Sequence, residues 1–234
     1  MLIRIDDIPT IKKKIPFEIK LSSEQEIKVQ KSWNSFIKGK DGFWDGELIS
    51  VTNFDLDNNT IEIGKTKFSC LIYSKNNNDL DVRSLFVSVL FKTIDDKYVV
   101  VKNNHGRINI IGGIIEESDI EYEAFNPEVC LKRELSEEMN LDLYNPEHIK
   151  MYKMKYLKIP NPGRNYGIVY IGILNFSSYE LINYYNNQRG KIDNEIIELK
   201  LLSKEEIITL NLDNEDISYL KELINFECNT KEGN

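Results

Sequence analysis

One stretch constrains this chain more than any other: Asn126 to Leu141, which reads NPEVCLKRELSEEMNL. Asn126 is a strong N-cap residue, Pro127 suits a first helical position that needs no N–H, and Asn140 tolerates the left-handed conformation that ends a helix. The sequence therefore predicts a helix over 127–139. Leu131, Leu135 and Met139 recur at spacings of four and make a narrow apolar stripe, so one side of the helix lies on a core. Glu134, Glu137 and Glu138 share a neighbouring face. Glu134 and Glu138 form a like-charge pair at i and i+4, which costs a few tenths of a kcal/mol, and they sit at the negative end of the helix dipole. A hard cation removes both penalties, since magnesium takes oxygen ligands and commonly bridges to substrate phosphates. A solvated acidic face, compensated by the Glu128–Lys132 and Arg133–Glu137 spacings, is the other account of this helix taken alone.

The flanking residues decide between them. Arg133-Glu134-Leu135-Ser136-Glu137-Glu138-Met139-Asn140-Leu141, with Gly112-Gly113 upstream at the end of an apolar run, resembles the Nudix box of the Nudix hydrolases. That pattern is a glycine, five residues, a glutamate, seven residues, then Arg-Glu-hydrophobic-any-Glu-Glu-any-Gly-hydrophobic. The chain departs from it in three places. Residues 114–132 number 19 where the pattern has thirteen, so about half a dozen are inserted within 114–124. Phe125 stands where the pattern has its first glutamate, and Asn140 replaces the last glycine.

The resemblance implies an α+β Nudix fold, a mixed β-sheet sandwiched between helices, here with an N-terminal α+β extension. It implies magnesium, or manganese, as cofactor, with Glu134, Glu137, Glu138 and the carbonyl of Gly113 as ligands and Arg133 orienting the carboxylates. Arg133, Glu134, Glu137 and Glu138 are then the catalytic set. In the family the first glutamate braces the arginine, so Glu121 or Glu123 of the inserted loop is expected to take over from Phe125. The general base varies within the family, and Glu134, Asp193, Glu195 and Glu198 are the candidates here. Arg107 and Arg164 are candidates for phosphate contacts. His105 reads as a loop histidine, the tyrosines at 166, 170, 179, 184 and 185 mostly as packing, and Cys130 as a small core residue.

The reaction implied is magnesium-dependent hydrolysis of a diphosphate linkage in a nucleoside diphosphate joined to another moiety. A nucleotide sugar or an ADP-ribose-like compound is favoured because strand-rich N-terminal extensions occur in family members acting on such compounds. The alternative is a catalytically weak Nudix-fold module that binds a nucleotide or regulates.

Composition sets the outer limits. The 234 residues suit one domain with an added element, and 41% hydrophobic content supports a sizeable core. A net charge of −8 argues against a broad nucleic-acid surface, leaving a capped RNA end as the nucleic-acid substrate to consider. Cys70, Cys130 and Cys228 have no paired spacing, which fits a reducing compartment. No apolar run reaches membrane-spanning length and the first residues lack a secretory apolar segment, so a soluble, cytoplasmic protein is expected, with room for a homodimer.

Along the chain, 1–20 reads as extended, and Ser22 or Ser23 opens a helix with Gln25 or Glu26 completing a capping box. Strands follow at 47–53 and 60–73 around the turn Asp57-Asn58-Asn59. The polar run 75–79 marks a boundary between an extension at 1–78 and a catalytic domain at 79–234. In the second part, strands are expected at 85–91, 98–101, 108–111, 151–159, 166–176 and 195–201, with helices at 204–210 and 216–226, and 179–193 reads as polar and tyrosine-rich.

Overall fold

The structure, a computed structural model, describes residues 2–5, 9–40, 43–104, 106–121, 124–159, 165–193, 195–210 and 215–229. Strands β1 (Leu2–Arg4) and β2 (Thr10–Glu18) precede helix α1 (Ser23–Ile37), the hairpin β3 (Glu47–Asp55) and β4 (Thr60–Lys67), and the short helix α2 (Phe68–Ser74). Then come β5 (Ser84–Lys92), β6 (Tyr98–Asn103), β7 (Ile108–Asn109), β8 (Ile111–Ile114), a 3-10 turn (Glu117–Asp119) and the small hairpin β9 (Ile120–Glu121) and β10 (Ala124–Phe125). Helix α3 (Pro127–Met139), β11 (Ile149–Lys158), β12 (Asn165–Leu174), α4 (Ser178–Gln188), β13 (Ile196–Leu202), α5 (Lys204–Thr209) and α6 (Glu215–Asn229) complete the chain.

The fold is α+β, a mixed sheet between two layers of helices. Its main path runs β1-β11-β12-β5-β3-β4-β2. Strand β5 lies parallel to β12 along one edge, while its other edge is shared by three partners. Ser84 pairs with Ser50 of β3, Phe86–Val89 with β8, and Lys92 with Tyr98 of β6. Alternation then sorts the side chains. Leu85, Val87, Val89 and Phe91 face one way, joined by Leu131, Leu135 and Met139 of α3 and Leu181 and Tyr185 of α4. Leu90, Tyr98 and Val100 face the other way and pack on Ile207, Leu220, Leu223 and Ile224 of the C-terminal helices.

Residues before the 75–79 break build outward from the same sheet. Val51 N–H donates to the Arg83 carbonyl at 2.7 Å, and Ile49, Val51, Ile61 and Ile63 belong to one cluster with Leu85 and Val87. Leu48, one residue out of step with Ile49, packs instead with Val29 of α1 and Cys70 and Leu71 of α2. Among the described residues no helix is long and apolar enough to cross a membrane.

The strongest local signals hold. Helix α3 spans 127–139, and Ser22 and Gln25 form the capping box of α1. Three segments differ. The expected strand over 60–73 stops at Lys67 and continues as α2, because Phe68-Ser69-Cys70-Leu71-Ile72-Tyr73 is apolar nearly all round and periodicity cannot separate a buried helix from a strand there. The Asp45 carboxylate accepts the Ser69 N–H at 2.7 Å and satisfies one donor of that helix start. Residues 178–188 form α4, opened by a Ser177–Glu180 capping box and anchored by buried Leu181 and Tyr185. The expected strand at 108–111 is split, with Ile108–Asn109 on β6 and Ile111 onward on β5.

Gly112 makes that switch fit. Its φ is +139°, and an added Cβ would stand 2.2 Å from the Val87 carbonyl oxygen, so both backbone conformation and space exclude a side chain. Gly112→Ala is expected to lose on the order of 1–3 kcal/mol in chemical denaturation at unchanged m. A midpoint equal to the wild type would contradict this close approach.

Candidate active site

Helix α3 is fixed at both ends before its side chains do anything. Asn126 Oδ1 accepts the Glu128 N–H at 3.0 Å. Asn140 takes the left-handed conformation (φ 54°), its N–H bonds to the Ser136 carbonyl, and the Tyr184 hydroxyl donates to the Asn140 carbonyl at 2.6 Å. With Leu131, Leu135 and Met139 fully buried, the helix cannot roll, and Glu134 and Glu138 are pressed against β8. Glu138 Oε2 accepts the Gly112 N–H at 3.2 Å. A Cβ on Gly113 would meet Glu134 Oε1 at 2.1 Å, so glycine lets that carboxylate lie on the strand backbone.

Arg133 gathers the acids. Its Nε and Nη2 donate to the two oxygens of Asp119 at 3.2 and 2.8 Å, and its Nη1 donates to Glu134 at 2.7 Å and Glu137 at 3.2 Å. Nη2 also reaches the Ile114 carbonyl at 3.3 Å. Asp119 is 1% exposed and holds the Glu116 N–H at 2.9 Å. Among the described residues, Asp119 holds Arg133 in the way expected of Glu121 or Glu123. The turn from Glu116 to Asp119 aims this shorter side chain at the guanidinium from within the inserted residues. The side chains of Glu121 and Phe125, and all of Glu123, lie outside the described residues. Sequence reasoning passed over Asp119, although the Glu116–Asp119 spacing of three signals a local capping turn.

Burial pushes the Glu134 carboxyl up to about 7, against the pull of Arg133, with the charges of Glu137 and Glu195 adding to the rise. Burial and then the Glu134 charge push Glu138 up to about 8, with the Gly112 N–H working the other way. Burial opposes the Arg133 charge, but the Asp119 hydrogen bond and Glu134 outweigh it and hold the guanidinium above its ordinary value. Burial also pushes the Cys130 thiol far up, which makes it inert as a nucleophile.

These donors suit a divalent metal in kind. All are oxygens, and two are buried carboxylates whose ionisation is held back by burial. Among the described residues no three His, Cys, Asp or Glu side chains already converge on one point. Arg133 holds Glu134 and Glu137, so a cation would compete with the guanidinium for them.

The remaining candidates divide. The Asp193 N–H donates to the Glu137 carbonyl at 2.9 Å, which pins the segment carrying Asp193 and Glu195 against the end of α3. Glu198 pairs with Lys200 at 3.1 Å on β13. Arg107 is exposed on the β6–β7 turn, and that turn is tied to the Glu195 carbonyl by the Asn104 N–H at 2.8 Å. Arg164 and His105 lie outside the described residues. Of the tyrosines, 166, 170 and 185 are buried, 184 caps α3, and Tyr179 is exposed. A cleft of about 730 Å³ lies away from the box, between α1 and β4.

No protein-family model and no curated protein matches the chain. Solved structures do resemble it, and several of them are described as Nudix proteins. DR0079 from Deinococcus radiodurans is 14% identical over 77% of this chain and 97% of that one, at a TM-score of 0.46. The Nudix domain of Shewanella oneidensis NrtR, complexed with ADP ribose, is 16% identical over 67% and 96%, at 0.45. A Nudix family hydrolase from Clostridium perfringens is 20% identical over 62% and 97%, at 0.39. At such identities and scores, function has to be argued from the side chains of the site.

The arrangement around Arg133 predicts unequal effects of its partners. Asp119→Asn removes the buried charge that a half-buried guanidinium is paired with and is expected to cost on the order of 3 kcal/mol in denaturation. Glu137, with 44% of its side chain exposed, should cost less than about 1 kcal/mol as Glu137→Gln. Equal losses would mean that Asp119 is not the brace.

The raised carboxyls also predict a pH dependence. Both titrate higher in the folded chain than the ordinary 4.5, so in chelator the unfolded chain ionises first and stability falls as pH rises from about 5 to about 8. Magnesium needs the ionised forms, so the rise it produces in melting temperature should be larger at pH 8 than at pH 6. The double variant Glu134→Gln/Glu138→Gln should flatten both trends. A magnesium effect independent of pH would contradict the assignment.

Proposed function

We propose that this protein is a Nudix-type pyrophosphohydrolase that cleaves the diphosphate linkage of a nucleoside diphosphate joined to another moiety. The observation that carries the proposal is the pair Glu134 and Glu138, buried on one rigid helix face against Gly112-Gly113 with their ionisation suppressed by burial. Buried carboxylates of this kind serve structure poorly and await a cation.

When bound, magnesium or manganese supplies neutralisation of the phosphate oxygens and activation of the attacking water. The protein contributes the rest. Glu134, Glu137 and Glu138 offer oxygens at fixed positions on α3, with the Gly113 carbonyl on the strand beside them. Arg133, braced by Asp119, offsets part of the negative charge of the carboxylates and orients them. Water adds across the P–O–P bridge, one phosphate leaves, and the proton passes to a carboxylate, for which Glu134 and Glu195 are the candidates beside the site. Arg107 on its turn next to Glu195 would pair with phosphate oxygens, as would Arg164. A nucleotide sugar or an ADP-ribose-like compound is the favoured substrate class, on the strength of the strand-rich N-terminal extension.

A second reading is favoured by the engagement of Glu134 and Glu137 with Arg133: a module that binds a nucleotide without turning it over. One experiment separates the two. Nucleoside di- and triphosphates, nucleotide sugars, ADP-ribose and capped RNA are incubated with magnesium or manganese, and phosphorylated products are followed for the wild type and Glu138→Gln. A hydrolase should cleave one class and lose on the order of a hundredfold or more in the variant. If nothing is cleaved while a nucleotide still raises the melting temperature, the binding module takes its place.

A further inference from the structure

The insertion that supplies Asp119 does not stand alone. Backbone bonds start it, with the Ile115 N–H on the Leu85 carbonyl at 3.0 Å. The turn that follows packs Glu116, Glu117 and Asp119 into four residues, an arrangement that repels itself. Opposite stands Lys65 of β4, whose ammonium pairs with Glu117 and lies 3.7 Å from Glu47. Lys65 has a firm base, since β4 is flanked by β3 and β2, with Ile49 opposite Lys65 on one side and the Ile19 N–H bonded to the Lys65 carbonyl at 3.1 Å on the other. Arg133, the cation that reaches this turn from α3, is already shared among Asp119, Glu134 and Glu137.

We propose that Lys65 is a positioning residue of the active centre: by holding Glu117 it fixes the turn that presents Asp119 to Arg133, so the N-terminal strands are part of the catalytic apparatus. This rests on the hydrolase reading above. Lys65 touches neither metal nor substrate and acts only through the turn. Its effect therefore falls on the alignment of Arg133 and the box glutamates, which lowers kcat and leaves KM nearly unchanged. The pair is partly exposed, at 32% for the Lys65 and 48% for the Glu117 side chain, so its influence is modest and salt-sensitive.

The test compares hydrolysis by the full chain for the wild type, Asp119→Asn, Lys65→Met, Glu117→Gln and the charge swap Lys65→Glu/Glu117→Lys. Lys67→Met, an exposed neighbour on the same strand, serves as the control for net charge. The proposal expects kcat to fall about two- to fivefold in Lys65→Met and Glu117→Gln at low salt. KM should hold, the gap from wild type should narrow as salt rises, and the swap should recover activity that Lys65→Met and Glu117→Gln lose. Any variant that fails to melt cooperatively is replaced in the comparison by its partner on the other side of the pair. If Asp119→Asn is impaired while Lys65→Met and Glu117→Gln match the wild type, the Lys65 proposal is overturned and the hydrolase reading stands. If the wild type cleaves nothing in the panel, both fall together.

Discussion

Everything at the candidate site depends on how one guanidinium is shared. Arg133 holds Asp119 through two nitrogens and divides its remaining donors between Glu134, Glu137 and a strand carbonyl. A half-buried arginine is held by such partners, and the buried carboxylates Glu134 and Glu138 are tolerable only near such an arginine or a metal in its place. The same charge therefore stabilises the protein and sets which glutamate oxygens remain available. A divalent cation at these oxygens would have to compete with the guanidinium for them.

That competition is possible because the backbone around it is over-determined. Strand β5 hands its free edge in turn to β3, β8 and β6, so the glycine pair, the extension and the hairpin carrying Arg107 are all referenced to one strand. Helix α3 is seated on that strand's odd-numbered side chains and clipped at both ends. The carboxylates consequently move as side chains on a fixed frame, which is what a site needs if positioning supplies part of the rate.

Helix α3 was legible in full, because its N-cap, its proline and its C-terminal asparagine are local signals that act on residues within one turn of themselves. The shared face of Glu134, Glu137 and Glu138 was legible for the same reason, from the period of the helix. Helices α2 and α4 were not. Residues 68–73 are apolar on every side, and residues 178–188 hide two buried contacts, Leu181 and Tyr185, among polar and aromatic neighbours. Only packing partners decide such cases.

The brace divides the two kinds of information most clearly. The sequence by itself determined that Arg133 would need a new acidic partner, because Phe125 cannot supply a carboxylate, and that the acidic insertion was the place to look. It also determined that Glu134, Glu137 and Glu138 share one helix face, which follows from the helix period alone. Only the tertiary structure decided that Asp119 is the partner and that Lys65 of the extension faces the same turn. Those contacts join residues 14 and 52 positions apart, and no local rule reaches across a chain reversal whose geometry depends on how far the sheet has already been built.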